Sequence, residues 1–398
     1  MKLKKLGKKP SALEIHLDGD KMAKAPEAEE LEVSLFGPGY GESVVLHLGN
    51  NQWFIVDSCI HPQFHEPTPL VYLKRIGVDP SCDVKGIFAS HWHDDHIRGM
   101  GNIVYECKNA GFYLSDALRK EEFLTLIAAY GQGTMLGTSG VTELRKVVDA
   151  LENRPGDSAL RTPQWAIANR LLWRSPSLPA GDPCSSEIFA LSPSDHTCLL
   201  ARQGIQNLLY MKPDRLETKR RIPDPSPNHA AVVLWIKAGD NIVLLLGSDI
   251  EETGDKRTGW SCIIQNTRRP AGKAQYYKVA HHGADTGDHP NIWSDMLEAS
   301  PVACYTPFNK GGNPIPSPRD VQRMCAKTNS LYSTAPRFRE KTRRRPAAVT
   351  KTLHETVQHM SEVPFAEGCV RMRAKFRDKK NMRIELFGGA RKVDSSFN

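Results

Sequence analysis

The chain of 398 residues lacks any long apolar run. Its longest, Ala230 to Ile236 and Ile242 to Leu246, fall far short of the roughly 20 residues that cross a bilayer, so no membrane anchor and no membrane partner is expected. Five lysines among the first nine residues are followed by no apolar stretch, only by the charged segment Asp18 to Glu32. That end reads as a solvated tail rather than a secretory signal. The nine cysteines form no CxxC pair, and an odd, scattered set fits a reduced cytoplasmic protein better than a disulfide framework. There is no internal repeat, phosphate-cradling P-loop, serine nucleophile elbow, RNP aromatic motif or zinc finger. These absences exclude repeat scaffolds, P-loop nucleotide hydrolysis, serine-type acyl transfer and modules that read nucleic-acid sequence.

What is present is ordinary globular composition, 40% hydrophobic and 25% charged, with length for one large core or two modest ones. Lys and Arg outnumber Asp and Glu by 53 − 45 = 8, an excess that assists a polyanionic substrate without requiring one. Leu31 to Phe36, Ser43 to Leu48 and Trp53 to Val56, separated by glycine-containing turns, predict a β-meander. Leu70 to Ile76 predicts a short helix, and Val84 to Ala89 a strand running straight into Ser90-His91. From 107 to 227 the pattern turns helical, with Leu144, Val147, Val148 and Leu151 at i, i+3, i+4, i+7 behind Thr142 as N-cap. Strand signals resume at Ala230 to Ile236, Ile242 to Leu246 and Tyr276 to Ala280, and Gly368 to Ala374 with Met382 to Phe387 predicts a terminal hairpin.

The strongest chemical signal is His91-Trp92-His93-Asp94-Asp95-His96. At this composition an HxHxDH string arises by chance in roughly one chain in a thousand. On an extended turn His91 and His93 project to one side and can share a metal ion, while Asp95 and His96 point toward a second. A donor set of imidazole and carboxylate without thiolate suits two divalent ions, zinc first and manganese as the alternative.

These residues and three further segments resemble the metallo-β-lactamase superfamily. Gly39-Tyr40-Gly41-Glu42-Ser43 with Phe54-Ile55-Val56-Asp57 is similar to its opening hairpin, Leu244 to Asp249 to the strand ending in its metal-bridging Asp, and Lys278 to Gly283 to its closing HHG loop. The closing loop, with Asn228 to Leu234, is most similar to the metallo-β-lactamase domain of the DNA-uptake competence proteins. The resemblance implies an α/β fold, a four-layer αββα sandwich over residues 31–310, with 107–227 as a largely helical insertion. Residues 1–30 would be a charged tail, and 311–398 a basic linker and strands completing the domain. It further implies that His91 and His93 bind the first ion, Asp95, His96 and His282 the second, that Asp249 bridges them, and that Asp57 braces the HxHxDH loop. His281 is the alternative ligand to His282; otherwise it contacts substrate, and it joins Asp95 as a candidate catalytic residue. The third ligand of the first ion is open between His229 and, less well placed, His196.

Such a site makes a nucleophile from water at neutral pH and stabilises the developing oxyanion, with His281 as candidate proton donor. The leading expectation is a phosphodiesterase or nuclease acting on nucleic acid or nucleotides. An acyl or peptide hydrolase on the same fold is the alternative, and a metal-stabilised module recruiting a protein partner through 107–227 is the third reading. Lys219-Arg220-Arg221 and the run Arg337 to Lys351, seven Lys or Arg against Glu340 alone, are candidate backbone contacts, Arg343, Arg344 and Arg345 foremost. The competing reading is a solvated face.

Overall fold

A computed structural model of the chain describes residues 22–38, 40–119, 140–176, 182–209, 227–309, 314–336, 346–356, 368–378 and 381–394. The meander is β1 (Glu30–Phe36), β2 (Ser43–Leu48) and β3 (Trp53–Val56). Its period-2 pattern sends Leu31, Val33, Leu35, Leu46 and Phe54 to one face and Phe36, Val45, Trp53 and Ile55 to the other, as strand geometry requires. The β2–β3 turn carries Asn50 and Asn51 at φ 48° and 57°, the left-handed pair that a two-residue hairpin favours. A helix over Thr68–Arg75 then crosses to β4 (Val84–Ala89), and one over Met100–Glu106 to β5 (Gly111–Ser115); β4 runs parallel to β3, and β5 parallel to β4.

The expected largely helical insertion over 107–227 carries strands as well as helices. Besides β5, its described residues supply β6 (Gln164–Ala166), β7 (Leu171–Arg174) and β8 (Ser186–Ala190), alongside helices over Gly140–Glu152 and Asp195–Leu209. Strands of three to five residues show too few alternations for a period to register, whereas the helix burying Leu144, Val147 and Leu151 shows its spacing plainly. That helix begins at Gly140, so Thr142 lies inside it and is not its cap. The next strands are β9 (Leu234–Ala238), β10 (Ile242–Leu246), β11 (Ala274–Lys278), β12 (Leu297–Tyr305) and β13 (Leu331–Ser333). The chain closes with β14 (Cys369–Lys375), β15 (Arg383–Phe387) and β16 (Arg391–Val393).

Two eight-stranded sheets result, ordered β15-β14-β1-β2-β3-β4-β5-β6 and β16-β13-β12-β11-β10-β9-β8-β7. One apolar core lies between them, fed by Leu31, Leu46, Phe54, Ile188, Leu244 and Met372. A second packs helices on the outside of the first sheet through Leu73, Ile103 and Val147, and a third covers the second sheet through Trp260, Ile263 and Val321. This is a helix–sheet–sheet–helix layering. The C-terminal strands belong to both sheets, since β14 pairs with β1 and β16 with β13. No helix among the described residues is long and apolar enough to cross a membrane. Arg343, Arg344 and Arg345, Lys219-Arg220-Arg221 and most of the N-terminal tail lie outside the described residues.

Candidate metal centre

In each sheet a run of parallel strands stops at the same end of the sandwich, the place where open α/β sheets bind ligands. Asp57 follows β3, Ser90 to His96 follow β4, Ser248 and Asp249 follow β10, His281 and His282 follow β11, and Thr306 follows β12. Of the eight described non-glycine residues with positive φ, four are Asp57, Ser248, His281 and His282. Left-handed backbone costs of order 1–3 kcal/mol per residue and persists where surrounding contacts over-determine it. Its concentration here marks the strand ends as places where side-chain aim outweighs backbone comfort.

Three histidines are held from behind by the same device. Asp57 Oδ1 accepts from the Ser90 N–H at 2.7 Å, and Oδ2 accepts from Ser90 Oγ at 2.6 Å and faces His96 Nδ1 at 2.9 Å. Ser90 Oγ, its own proton directed to Asp57, lies 3.0 Å from His91 Nδ1. His282 Nδ1 donates to the Thr306 carbonyl at 3.0 Å. Each ring therefore turns Nε2 forward, and the Nε2 atoms of His91, His96 and His282 are buried with no hydrogen-bond partner, as is Asp249 Oδ1. Asp249 Oδ2 is 3.2 Å from both His96 Nε2 and His282 Nε2, and Asp95 Oδ2 is 3.3 Å from His282 Nε2. One donor atom from each of Asp95, His96, Asp249 and His282 falls within a 4.8 Å span.

Four orphaned or closely crowded donors would be costly if nothing joined them. Ligands about 2.1 Å from a tetrahedral ion stand roughly 3.4 Å apart, which this spacing matches, and engagement of the rear imidazole nitrogen is the usual support of a metal-bound His. The residues thus fit a divalent ion. His91 and His93, rings 5.0 Å apart at 83°, adjoin the cluster, and the His91 and His96 rings are 4.2 Å apart. His91 also stands with Asp57 and His96 in a second close group of donors.

Electrostatics agree with that reading. Burial would lower the pKa of His96 and His282, but Asp249 and Asp95 outweigh it, lifting His96 well above the usual range and His282 to about 10. Burial likewise opposes ionisation of Asp95 and Asp249, yet the same two histidines hold both carboxyls below the usual range. His91 is held well below its usual value by burial, then by its His96 and His93 neighbours.

The structure separates the residues left open by sequence. His282 joins the cluster, whereas His281 turns aside, its Nδ1 2.9 Å from Thr286 Oγ1 and its Nε2 3.3 Å from Asn228 Nδ2. His229 does not reach the cluster. Its side chain is 41% exposed and its Nε2 lies 3.5 Å from Glu251 Oε2. The buried polar residue of that short turn is Asn228, which donates to Glu251 Oε1 at 2.7 Å. His196 is 3.9 Å from Asp255, also away from the cluster.

Sequence reasoning places Glu42 and Lys278 within motifs but assigns them no role. Gly41, at φ 90°, lies where a Cβ would meet the Cys59 side chain, and this close approach delivers Glu42 to the floor of the cluster. There Glu42 pairs with Lys278 Nζ and accepts from Thr306 Oγ1, while its N–H donates to the Asp95 carbonyl at 2.9 Å. Lys278 Nζ also donates to the Ser248 carbonyl at 3.0 Å and stands 3.6 Å from Asp249 Oδ1. Acid and base in one recurring motif each would have been the signal.

Residues 36–151 match the family model described as Metallo-beta-lactamase superfamily, a stretch holding Glu42, Asp57 and the HxHxDH loop. The chain is also similar to a crystal structure of metallo-beta-lactamase SMB-1 bound to 2-mercaptoethanesulfonate, at 10% identity and TM-score 0.33, covering 69% of this chain and 87% of that one. No curated protein matches.

Proposed function

We propose that this chain, whose paired sheets and flanking helices form the metallo-β-lactamase fold, is a divalent-metal-dependent hydrolase of phosphodiesters, a nuclease or nucleotide phosphodiesterase. The observation that carries the hydrolase reading is the convergence of the orphaned His91, His96 and His282 nitrogens and Asp249 Oδ1 at strand ends of both sheets. The excess of 8 positive charges and the sequence resemblance to DNA-uptake competence proteins support the phosphodiester.

His91, His93 and Asp249 would hold one ion, and Asp95, His96, Asp249 and His282 the other. Zinc suits these donors, with manganese the alternative. When bound, such ions polarise a phosphoryl oxygen and lower the pKa of water toward neutrality. The chain's own groups do the rest. Asp57 and Thr306 fix the two rings of the second site so that no reorganisation is needed during reaction. Asp95 can accept a hydrogen bond from an incoming nucleophile. His281, next to His282, would hand a proton to the leaving oxygen only by giving up its contact with Thr286 or Asn228.

The test is metal analysis of protein purified without chelator, joined to a panel of single-stranded DNA, duplex DNA, RNA, cyclic nucleotides, bis(p-nitrophenyl) phosphate, a β-lactam and a thioester. Metal-dependent turnover confined to phosphodiesters is expected. Turnover of the lactam or thioester alone would replace this reading with acyl hydrolysis, and absence of any transition metal would remove the hydrolase reading altogether.

A further inference from the structure

We infer that Lys278 sets the net charge of the loaded centre so that it receives an anionic group, which makes this lysine a specificity-determining residue for a phosphodiester or similar monoanion. The inference rests on the two-ion reading above.

Lys278 is buried to 1% exposure, a placement a lysine seldom takes without full pairing. Its Nζ pairs with Glu42, donates to the Ser248 carbonyl at 3.0 Å and stands 3.6 Å from Asp249 Oδ1. Every partner lies under the cluster and none lies elsewhere in the core. Four buried carboxylates bound this space, those of Glu42, Asp57, Asp95 and Asp249. With Lys278 they sum to −4 + 1 = −3. The next carboxylate, Glu251, is only half-buried and is engaged by Asn228 and His229.

Two divalent ions bring the total to +4 − 3 = +1, which one monoanion neutralises. Without Lys278 the loaded centre would be neutral, and an anion would lose the attraction of one unit charge. In a site of low dielectric that difference is felt strongly, because a unit charge about 7 Å away, at an effective dielectric of about 20, changes the affinity of a monoanion by roughly 50-fold. A neutral substrate such as an ester has no such dependence, so the charge of this centre itself selects among substrate classes.

A buried ion pair could instead serve the fold alone, and charge-restoring variants separate the two roles. Replacing both partners, Lys278→Met with Glu42→Gln, leaves the charge sum at −3, the wild-type value, while abolishing the pair. Glu42→Gln alone makes the loaded centre one unit more positive. The experiment loads each protein with zinc, counts ions by elemental analysis, and titrates inorganic phosphate calorimetrically. Lys278→Met is expected to keep both ions and to bind phosphate at least about tenfold more weakly. The double variant should return to within about threefold of wild type, and Glu42→Gln alone should bind phosphate more tightly. Wild-type phosphate affinity in Lys278→Met, or a double variant as weak as the single, would overturn the inference in favour of a purely structural pair. If Lys278→Met does not fold, Glu42→Gln decides, since unchanged or weaker phosphate binding there is equally fatal. Failure of the wild type to take up metal would instead overturn the two-ion reading, and this inference with it.

Discussion

Replacing Asp57 by Asn changes one atom and should disable a residue that need touch no ion. In the native arrangement Oδ1 accepts from the Ser90 N–H while Oδ2 takes both the Ser90 hydroxyl and the His96 Nδ1 side. An amide cannot reproduce this in either orientation. With its NH2 toward His96, that ring must accept at Nδ1, which moves its proton to Nε2, the atom aimed into the cluster; the lone pair a metal requires is then lost. With the amide flipped, its NH2 opposes the buried Ser90 N–H, leaving donors unpaired at about 1–3 kcal/mol. The first outcome predicts a fall in metal affinity of about 10- to 100-fold, the range for losing an imidazole's rear partner. Competition with a chromophoric chelator at fixed pH measures it, and thermal unfolding of the metal-free protein measures the second. Metal affinity within twofold of wild type would refute the claim that Asp57 sets the His96 tautomer.

Asp249→Ala, which removes the carboxylate shared by His96 and His282, should reduce bound metal below two ions per chain and abolish turnover. Activity within tenfold of wild type would contradict its place in the centre. His229→Ala should leave metal content unchanged because that ring faces Glu251, and loss of an ion would restore it as a ligand. The metal-free protein should lose stability as pH rises. His282 is lifted from 6.5 to about 10 by Asp249 and Asp95 against its burial, so its contribution is complete below pH 6.5 and is lost on approach to pH 10, while the metal-loaded protein, its imidazoles already neutral, is spared. Melting temperatures of both forms across that range check this, and a metal-free value that stays flat would count against it. Replacing Arg343, Arg344 and Arg345 by Ala should cut the salt slope of duplex DNA binding by roughly two to three units without altering turnover of p-nitrophenyl phosphodiesters; an unchanged slope would make the run a solvated face.

How much of this could be read from the chain alone follows from the range over which each feature is encoded. The meander, β4 and β10 are local, because apolar residues in strand-length runs between Gly and Asn turns declare themselves without knowledge of neighbours. The HxHxDH loop is also local, and its position directly after β4 can be read from the sequence. The strands β6 and β7 escaped notice for the opposite reason: three or four residues such as Gln164-Trp165-Ala166 become a strand only because β5 offers an edge to pair with. That His229 stays away from the cluster is not legible locally, because the aim of its short turn depends on Glu251, which is distant in sequence and takes both Asn228 and His229. Glu42 and Lys278 are the extreme case. They stand 278 − 42 = 236 positions apart, Glu42 just before β2 of one sheet and Lys278 at the end of β11 in the other, and neither residue is unusual until the other arrives. A strand-end lysine ordinarily reaches for solvent. Here β11 is buried on both faces between β10 and β12, so Lys278 can keep its charge only by meeting the carboxylates that the opposite sheet and β10 bring to the same end. The joining of the sheets and the pairing of Glu42 with Lys278 are therefore one event, which is why the motifs point to a candidate site while its electrostatics need the assembled fold.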